Sequence, residues 1–199
     1  MNQDIQYKIE QVMEKYDPFG NSIHHERQVC RLANLLFDGL KQIHHLDQND
    51  RILLSIAALL HDTGLFFGEK AHHKKSRDII YAELSGILEQ QDLLIVAAVA
   101  RYHRKALPDI SHNEMADLSN NDRYRVNALA SLIRIADGLD YSHTSTVTAL
   151  QCICTDNSIT IQCSFTVSQT AELIRAKEKS DLACRTFNHQ VEIIDNKNI

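Results

Sequence analysis

The sequence predicts a mainly α fold: a helical bundle over residues 1–145, followed by a small α+β appendage over 146–199. Three observations carry this. Apolar residues recur at helical spacing through most of the chain, and only two Pro and six Gly interrupt them. After Tyr141 the period changes, with a near-perfect alternation from Ile159 to Val167. With 199 residues, 44% of them hydrophobic, the chain is long enough to bury a substantial core.

Residues 4–16 place Ile5, Ile9, Val12 and Tyr16 on one helix face, and Pro18-Phe19-Gly20 is expected to end that helix. Asn21 or Ser22 can cap the next, which is expected to run to about Ile43 on the stripe Val29, Leu32, Leu36. Residues 50–62 are apolar nearly all round, the mark of a helix buried on most sides, with Gly64 as its stop signal. Helices over 74–89 and 91–105 follow, the second limited by Pro108. Residues 109–122 read as a polar loop with a short helical turn, and a long helix spans about 122–140. Ile159, Ile161, Cys163, Phe165 and Val167 then alternate, Thr155–Ser158 supplies a hairpin turn, and a helix (about 169–187) precedes a last strand in HQVEIID.

No apolar run reaches the about 18 residues of a membrane span. The N-terminal stretch lacks the apolar core of a secretory signal, so a cytoplasmic protein is expected. Five cysteines, without a CxxC pair, read as reduced thiols among apolar neighbours. A net charge of −5 argues against general DNA binding. Yet Lys70, Lys74, Lys75 and Arg77 cluster, as do Arg101, Arg104 and Lys105, both beside histidines. Such cations suit an anionic substrate or a solvated helix face.

The eleven histidines are informative by position. His25 lies on the stripe of Val29, Leu32 and Leu36. His103 continues Val96, Val99 and Ala100, and Asp137 continues Val126, Leu129 and Ile133. His61 and Asp62 end the all-apolar run. An unpaired buried charge costs several kcal/mol, on the order of 3–5. Each group could have its own core hydrogen bond. Inward His25, His61, Asp62, His103 and Asp137 from four helices instead share one need, which a divalent cation meets.

A His on one helix, the doublet His61-Asp62 and the distant Asp137 resemble the HD superfamily of metal-dependent phosphohydrolases. More closely, HHERQVCRLANLLFDGL, AALLHDTGLFFGEKAHHKKS, VARYHRKALP and LIRIADGLDYSH resemble the C-terminal HD region of the exopolyphosphatase/guanosine pentaphosphate phosphohydrolase family. In that family the region follows two actin-like domains that carry the polyphosphate-cleaving machinery. The sequence contains neither, so that activity is not carried over.

The resemblance implies an HD-type helical bundle and one metal held by His25, His61, Asp62 and Asp137, with His61 and Asp62 as the catalytic pair. A second metal would add His103 and His72, with His73 as the alternative, and Asp62 would bridge the ions. His72 is preferred because it stands four residues before the small Ser76. Asp140 and His143 also match the family's pattern, although Asp140 could instead cap or pair with a nearby Arg. Thr63 departs from it, standing where HD proteins commonly place an apolar residue.

The implied cofactor is one or two divalent ions, of Mn, Fe, Co, Ni, Zn or Mg. Such ions neutralise charge on phosphoryl oxygens and lower the pKa of water. Arg104 and Lys105 are the leading candidates to bind a substrate phosphate, with Lys74, Lys75 and Arg101 beside them. His44, His45, His112 and His189 read as surface residues.

The expected function is therefore hydrolysis of a nucleotide or another small phosphate ester or anhydride. The alternative is a regulatory module, non-catalytic or weakly catalytic, that binds polyphosphate or a guanosine polyphosphate. A purely structural metal site is a third reading. The expected partner is a small phosphorylated molecule, without DNA or membrane, and the hairpin's edge could support a homodimer.

Overall fold

The computed structural model describes residues 3–17, 19, 20, 22–167 and 170–198. Pro18, Asn21 and Gln169, assigned above to a helix stop, a cap and a helix start, lie outside the described residues. Ten α-helices and three strands follow in the expected order: α1 Gln3–Tyr16, α2 Ile23–Gly39, α3 Lys41–His44, α4 Gln48–Leu60, α5 His72–Leu84, α6 Gln90–Arg101, α7 Asn113–Ala116, α8 Asn120–Gly138, β1 Val147–Cys154, β2 Ser158–Phe165, α9 Thr170–Glu178, α10 Asp181–Phe187 and β3 Gln190–Asp195. The fold is mainly α with a small α+β appendage, as the periodicity implied. Among the described residues no single helix is long and apolar enough to cross a membrane.

Helix α4 sits at the centre, against α1, α2, α6 and α8. Its Leu53, Leu54, Ile56, Ala57, Ala58 and Leu60 are all buried, which its nearly uninterrupted apolar sequence requires. Asp47 and Asp50 start it with a reciprocal capping box. The start of α2 is held differently from expectation. Ser22 makes no side-chain cap bond. Instead Asp17 Oδ2 accepts from the backbone N–H groups of Ser22 (2.8 Å) and Ile23 (3.1 Å).

The predicted second helix breaks at Leu40 rather than running to Ile43. Gly39 lies where a Cβ would come within 2.9 Å of Cys152 Sγ, so β1 presses on the helix at its last turn. The chain then closes α3 with His45 in the left-handed region, φ 56°. His44, read as a surface residue, is in fact buried: its Nε2 donates to the Phe37 carbonyl and its Nδ1 accepts from the Leu46 N–H. The neighbouring polar letters hid an inward turn.

The strands form one sheet in the order β1–β2–β3. β1 and β2 are an antiparallel hairpin whose turn is closed by the Thr155 N–H donating to the Ser158 carbonyl, and β3 joins β2 in parallel. Ile159, Ile161, Cys163 and Phe165 face the core, while Val167 lies beyond the strand and is exposed. The expected single helix after the hairpin is two, α9 and α10, broken at Lys179-Ser180. Arg134, buried on α8, bridges the break: its Nε donates to the Lys179 carbonyl (3.4 Å) and its Nη2 to Asp181 (2.6 Å). Gly138 allows this approach, because a Cβ there would meet the Ala176 Cα at 2.6 Å.

All five cysteines are free; Cys163 is buried, Cys154 is exposed and the other three are intermediate.

Candidate metal centre

Each main helix delivers its ionisable group to one place. His25 comes from the first turn of α2, and His61 and Asp62 from the turn that ends α4. His72 opens α5, His103 stands two residues past α6, and Asp137 is in the last turn of α8. A 3-10 turn over Thr63–Phe67 joins α4 to α5. Gly64 is not the helix stop it resembled, since α4 has ended at Leu60. It is a crossing point: a Cβ there would lie 2.1 Å from the His72 carbonyl oxygen. Its N–H donates to Ser76 Oγ at 2.9 Å. Thr63 is buried and satisfied, its hydroxyl donating to the Leu60 carbonyl at 2.8 Å.

The hydrogen bonds fix the ring tautomers. Carbonyl and carboxylate oxygens only accept, so the nitrogen facing each must carry the proton. His61 Nδ1 donates to the Ala58 carbonyl (2.7 Å), His103 Nδ1 to Ala100 (2.7 Å) and His72 Nδ1 to Glu69 (3.0 Å). His25 Nδ1 donates to Asp140 Oδ2 at 2.8 Å. Asp140 therefore orients a histidine rather than pairing with an arginine, and its Oδ1 accepts from the Ser145 N–H. His143 stacks flat on His25, ring centroids 3.8 Å apart. Four Nε2 atoms are left to face inward, the arrangement that acceptors bonded to the other ring nitrogen impose on metal-binding imidazoles.

The inward atoms fall into two groups that share Asp62. His25, His61 and Asp62 each offer one ligand atom within 4.8 Å of the others, and so do Asp62, His72 and His103. Asp62 Oδ1 lies 3.1 Å from His72 Nε2 and 3.3 Å from His103 Nε2. Those two Nε2 atoms are themselves 3.3 Å apart. With both Nδ1 atoms protonated, two lone pairs face each other, which calls for a cation between them. His25 Nε2, His61 Nε2 and Asp62 Oδ1 are buried without a hydrogen-bond partner. This orphaned nitrogen and oxygen set fits a divalent metal ion.

The electrostatics agree. Burial pushes His61 down to about 4, so it is a neutral imidazole at pH 7. Burial opposes charge on Asp62, yet its carboxyl is held well below its usual range, which requires positive charge at the centre beside it. For His25, burial is likewise overcome, here by Asp137 and Asp140, which raise it to about 10. Without a metal the carboxylates thus keep a proton on His25, and a divalent ion would displace it.

Asp137 joins only partly. Its Oδ1 is 3.5 Å from His25 Nε2, while its Oδ2 accepts from the Lys179 ammonium. The cavity over the centre, of about 340 Å³, is lined by Asp62, His72, His103, Asp137 and His143, with Glu69, Leu65, Tyr141, Arg104 and Lys179. Arg104 is thus at the centre, and Lys105 lines an adjoining cavity of about 410 Å³ together with Arg104, Arg134, Tyr141, Arg175 and Lys179.

Other candidates are placed elsewhere. Lys74 and Lys75 are exposed and line neither cavity, and Lys75 lies over the Phe67 ring. Arg101 is buried, 3.5 Å from Glu114. His73 stands outside both groups, its ring 6.4 Å from that of His103. Lys179 and Tyr141 had no signal in the sequence: the run AKEKS reads as a solvated helix end.

A helical bundle with a shared-carboxylate His/Asp centre, closed by a small three-stranded sheet, defines the class. The family model described as "Ppx/GppA phosphatase, domain III" matches residues 6–182, and the chain belongs to that family. No curated protein matches the chain.

Proposed function

We propose that the chain is a divalent-metal-dependent phosphohydrolase with an HD-type site, acting on a nucleotide or another small phosphate ester or anhydride. The observation that carries this is the pair of ligand groups sharing Asp62, open to a cavity that also presents Arg104 and Lys179. His25, His61 and Asp62 would hold one ion, with Asp137 Oδ1 beside them; Asp62, His72 and His103 would hold a second. The bound ion supplies Lewis acidity, drawing charge from phosphoryl oxygens and acidifying water. The chain's own part is orientation: four Nδ1–H bonds aim the imidazole Nε2 atoms at the centre, and Arg104 places positive charge where a phosphate would lie. Lys105 extends that charge outward, with Lys74, Lys75 and Arg101 as more distant cations. The ligand is a small phosphorylated molecule in the cytoplasm, not DNA. Residues 1–145 act as the metal-holding domain and 146–199 as a subdomain on it.

Metal analysis of the purified chain, with a nucleotide and phosphoester panel in added Mn, Co or Ni, tests the proposal. Asp62→Ala is expected to lose both bound metal and turnover. Retained turnover in that variant places the chemistry elsewhere. A second reading, a binding module for polyphosphate or a guanosine polyphosphate, is favoured by one observation: the adjoining cavity is lined by five cationic side chains against one carboxylate, Glu178, which pairs with Arg175. Tight binding of such a polyanion without hydrolysis on any substrate would select it.

A further inference from the structure

Lys179 belongs to the C-terminal segment, yet its ammonium reaches the centre. Three contacts put it there. Arg134 binds the Lys179 carbonyl and the Asp181 carboxylate, pinning the α9–α10 break. Gly138, next to Asp137, lets the backbone of Ala176 sit directly on α8. Buried Glu172 accepts from the Ser142 hydroxyl and N–H, tying α9 to the loop that carries Tyr141 and His143. So three contacts fasten the segment from Glu172 to Asp181 around the point where Lys179 turns inward.

The ammonium has three N–H donors. Among the described residues it has one side-chain partner, Asp137, and it lines both the central cavity and the adjoining cationic one. Its side chain keeps 26% of its exposure, so the remaining donors are open to what enters. Asp137 has a second oxygen free of Lys179, on the His25 side. The same carboxylate can therefore serve the cradle through Oδ1 and Lys179 through Oδ2.

We propose that Lys179 is a ligand-contacting residue: it holds Asp137 with one N–H and presents the others to an oxyanion seated in the central cavity. The C-terminal segment thereby completes a site whose other groups come from the bundle. The inference rests on the reading of this cavity as a phosphoryl-binding centre.

The test is calorimetric titration of inorganic phosphate into the full chain, with saturating Mn²⁺ and again in EDTA. Wild type, Lys179→Met, Lys179→Arg and Lys177→Met are compared. Lys179→Met is expected to weaken phosphate binding about tenfold or more, the scale of one charge-assisted hydrogen bond. Lys179→Arg should recover most of that, and Lys177→Met, which removes a charge from the exposed side of the same helix, should stay within about twofold. A parallel Mn²⁺ titration separates contact from scaffold. Lys179→Met should bind Mn²⁺ at least as tightly as wild type, because no ammonium then shares Asp137.

Equal phosphate affinity of wild type and Lys179→Met, in whichever state binds phosphate, overturns the proposal. So does a wild type that binds phosphate in neither state, or a Lys179→Met chain that loses Mn²⁺ along with phosphate. A wild type that binds phosphate but takes up no metal overturns the metal-dependent hydrolase alone, and the EDTA titration then decides Lys179.

Discussion

At the scale of single residues, each histidine of the centre is defined by its second nitrogen. His61 and His103 use backbone carbonyls three residues back, which the ends of α4 and α6 leave without partners, and His72 uses the Glu69 carbonyl just before α5. His25, in the first turn of α2, takes the Asp140 carboxylate instead. Asp140→Ala is therefore expected to lower divalent-metal affinity about 10–100-fold, while Asp140→Asn, which keeps an acceptor, loses less. Mn²⁺ titration of the three proteins checks this; equal affinities would show that His25 needs no orienting partner.

At the scale of elements, the centre depends on how closely α4 and α5 meet. The chain leaves α4 at His61-Asp62, turns through Thr63–Phe67 and returns with His72, and Gly64 is the residue at the crossing. Gly64→Ala would drive a methyl group into the His72 carbonyl and the Ser76 N–H, both backbone atoms. A loss of about 1–3 kcal/mol in unfolding free energy is expected, with metal affinity falling alongside because His72 is displaced. Denaturant unfolding with a metal titration measures both. Unchanged affinity at reduced stability would mean that α5 shifts as a unit and carries His72 with it.

At the scale of the whole molecule, α1 packs on α4 and is tied to α5 by charge. Glu83 accepts from Lys8, Lys15 and Tyr16. Its bonds from Lys15 and Lys8 outweigh burial and lower its pKa to about 2. A carboxylate depressed on folding binds protons more readily when unfolded, so its stabilising contribution is present above the unfolded value, about 4.5, and is lost as pH falls toward about 2. Glu83→Gln should lower the thermal midpoint at pH 7 and flatten its decline below about pH 4.5. Parallel midpoint curves for the two proteins would assign the acid sensitivity to other carboxylates.

The helical body, the change of period after Tyr141 and the inward facing of His25, His61, Asp62, His103 and Asp137 are legible in the sequence. Those features are periodic: a residue on an apolar stripe must face inward whatever the stripe packs against. His72 over His73 was also legible, through the small Ser76 beside the Gly64 crossing. Only the tertiary structure decided what lies between elements. The break of α2 at Gly39, the burial of His44, the split of α9 from α10 and the insertion of Lys179 at Asp137 all follow from distant contacts: Cys152, Phe37 and Arg134. No local period encodes such contacts, because each partner lies on a different segment and its position exists only once the core has formed.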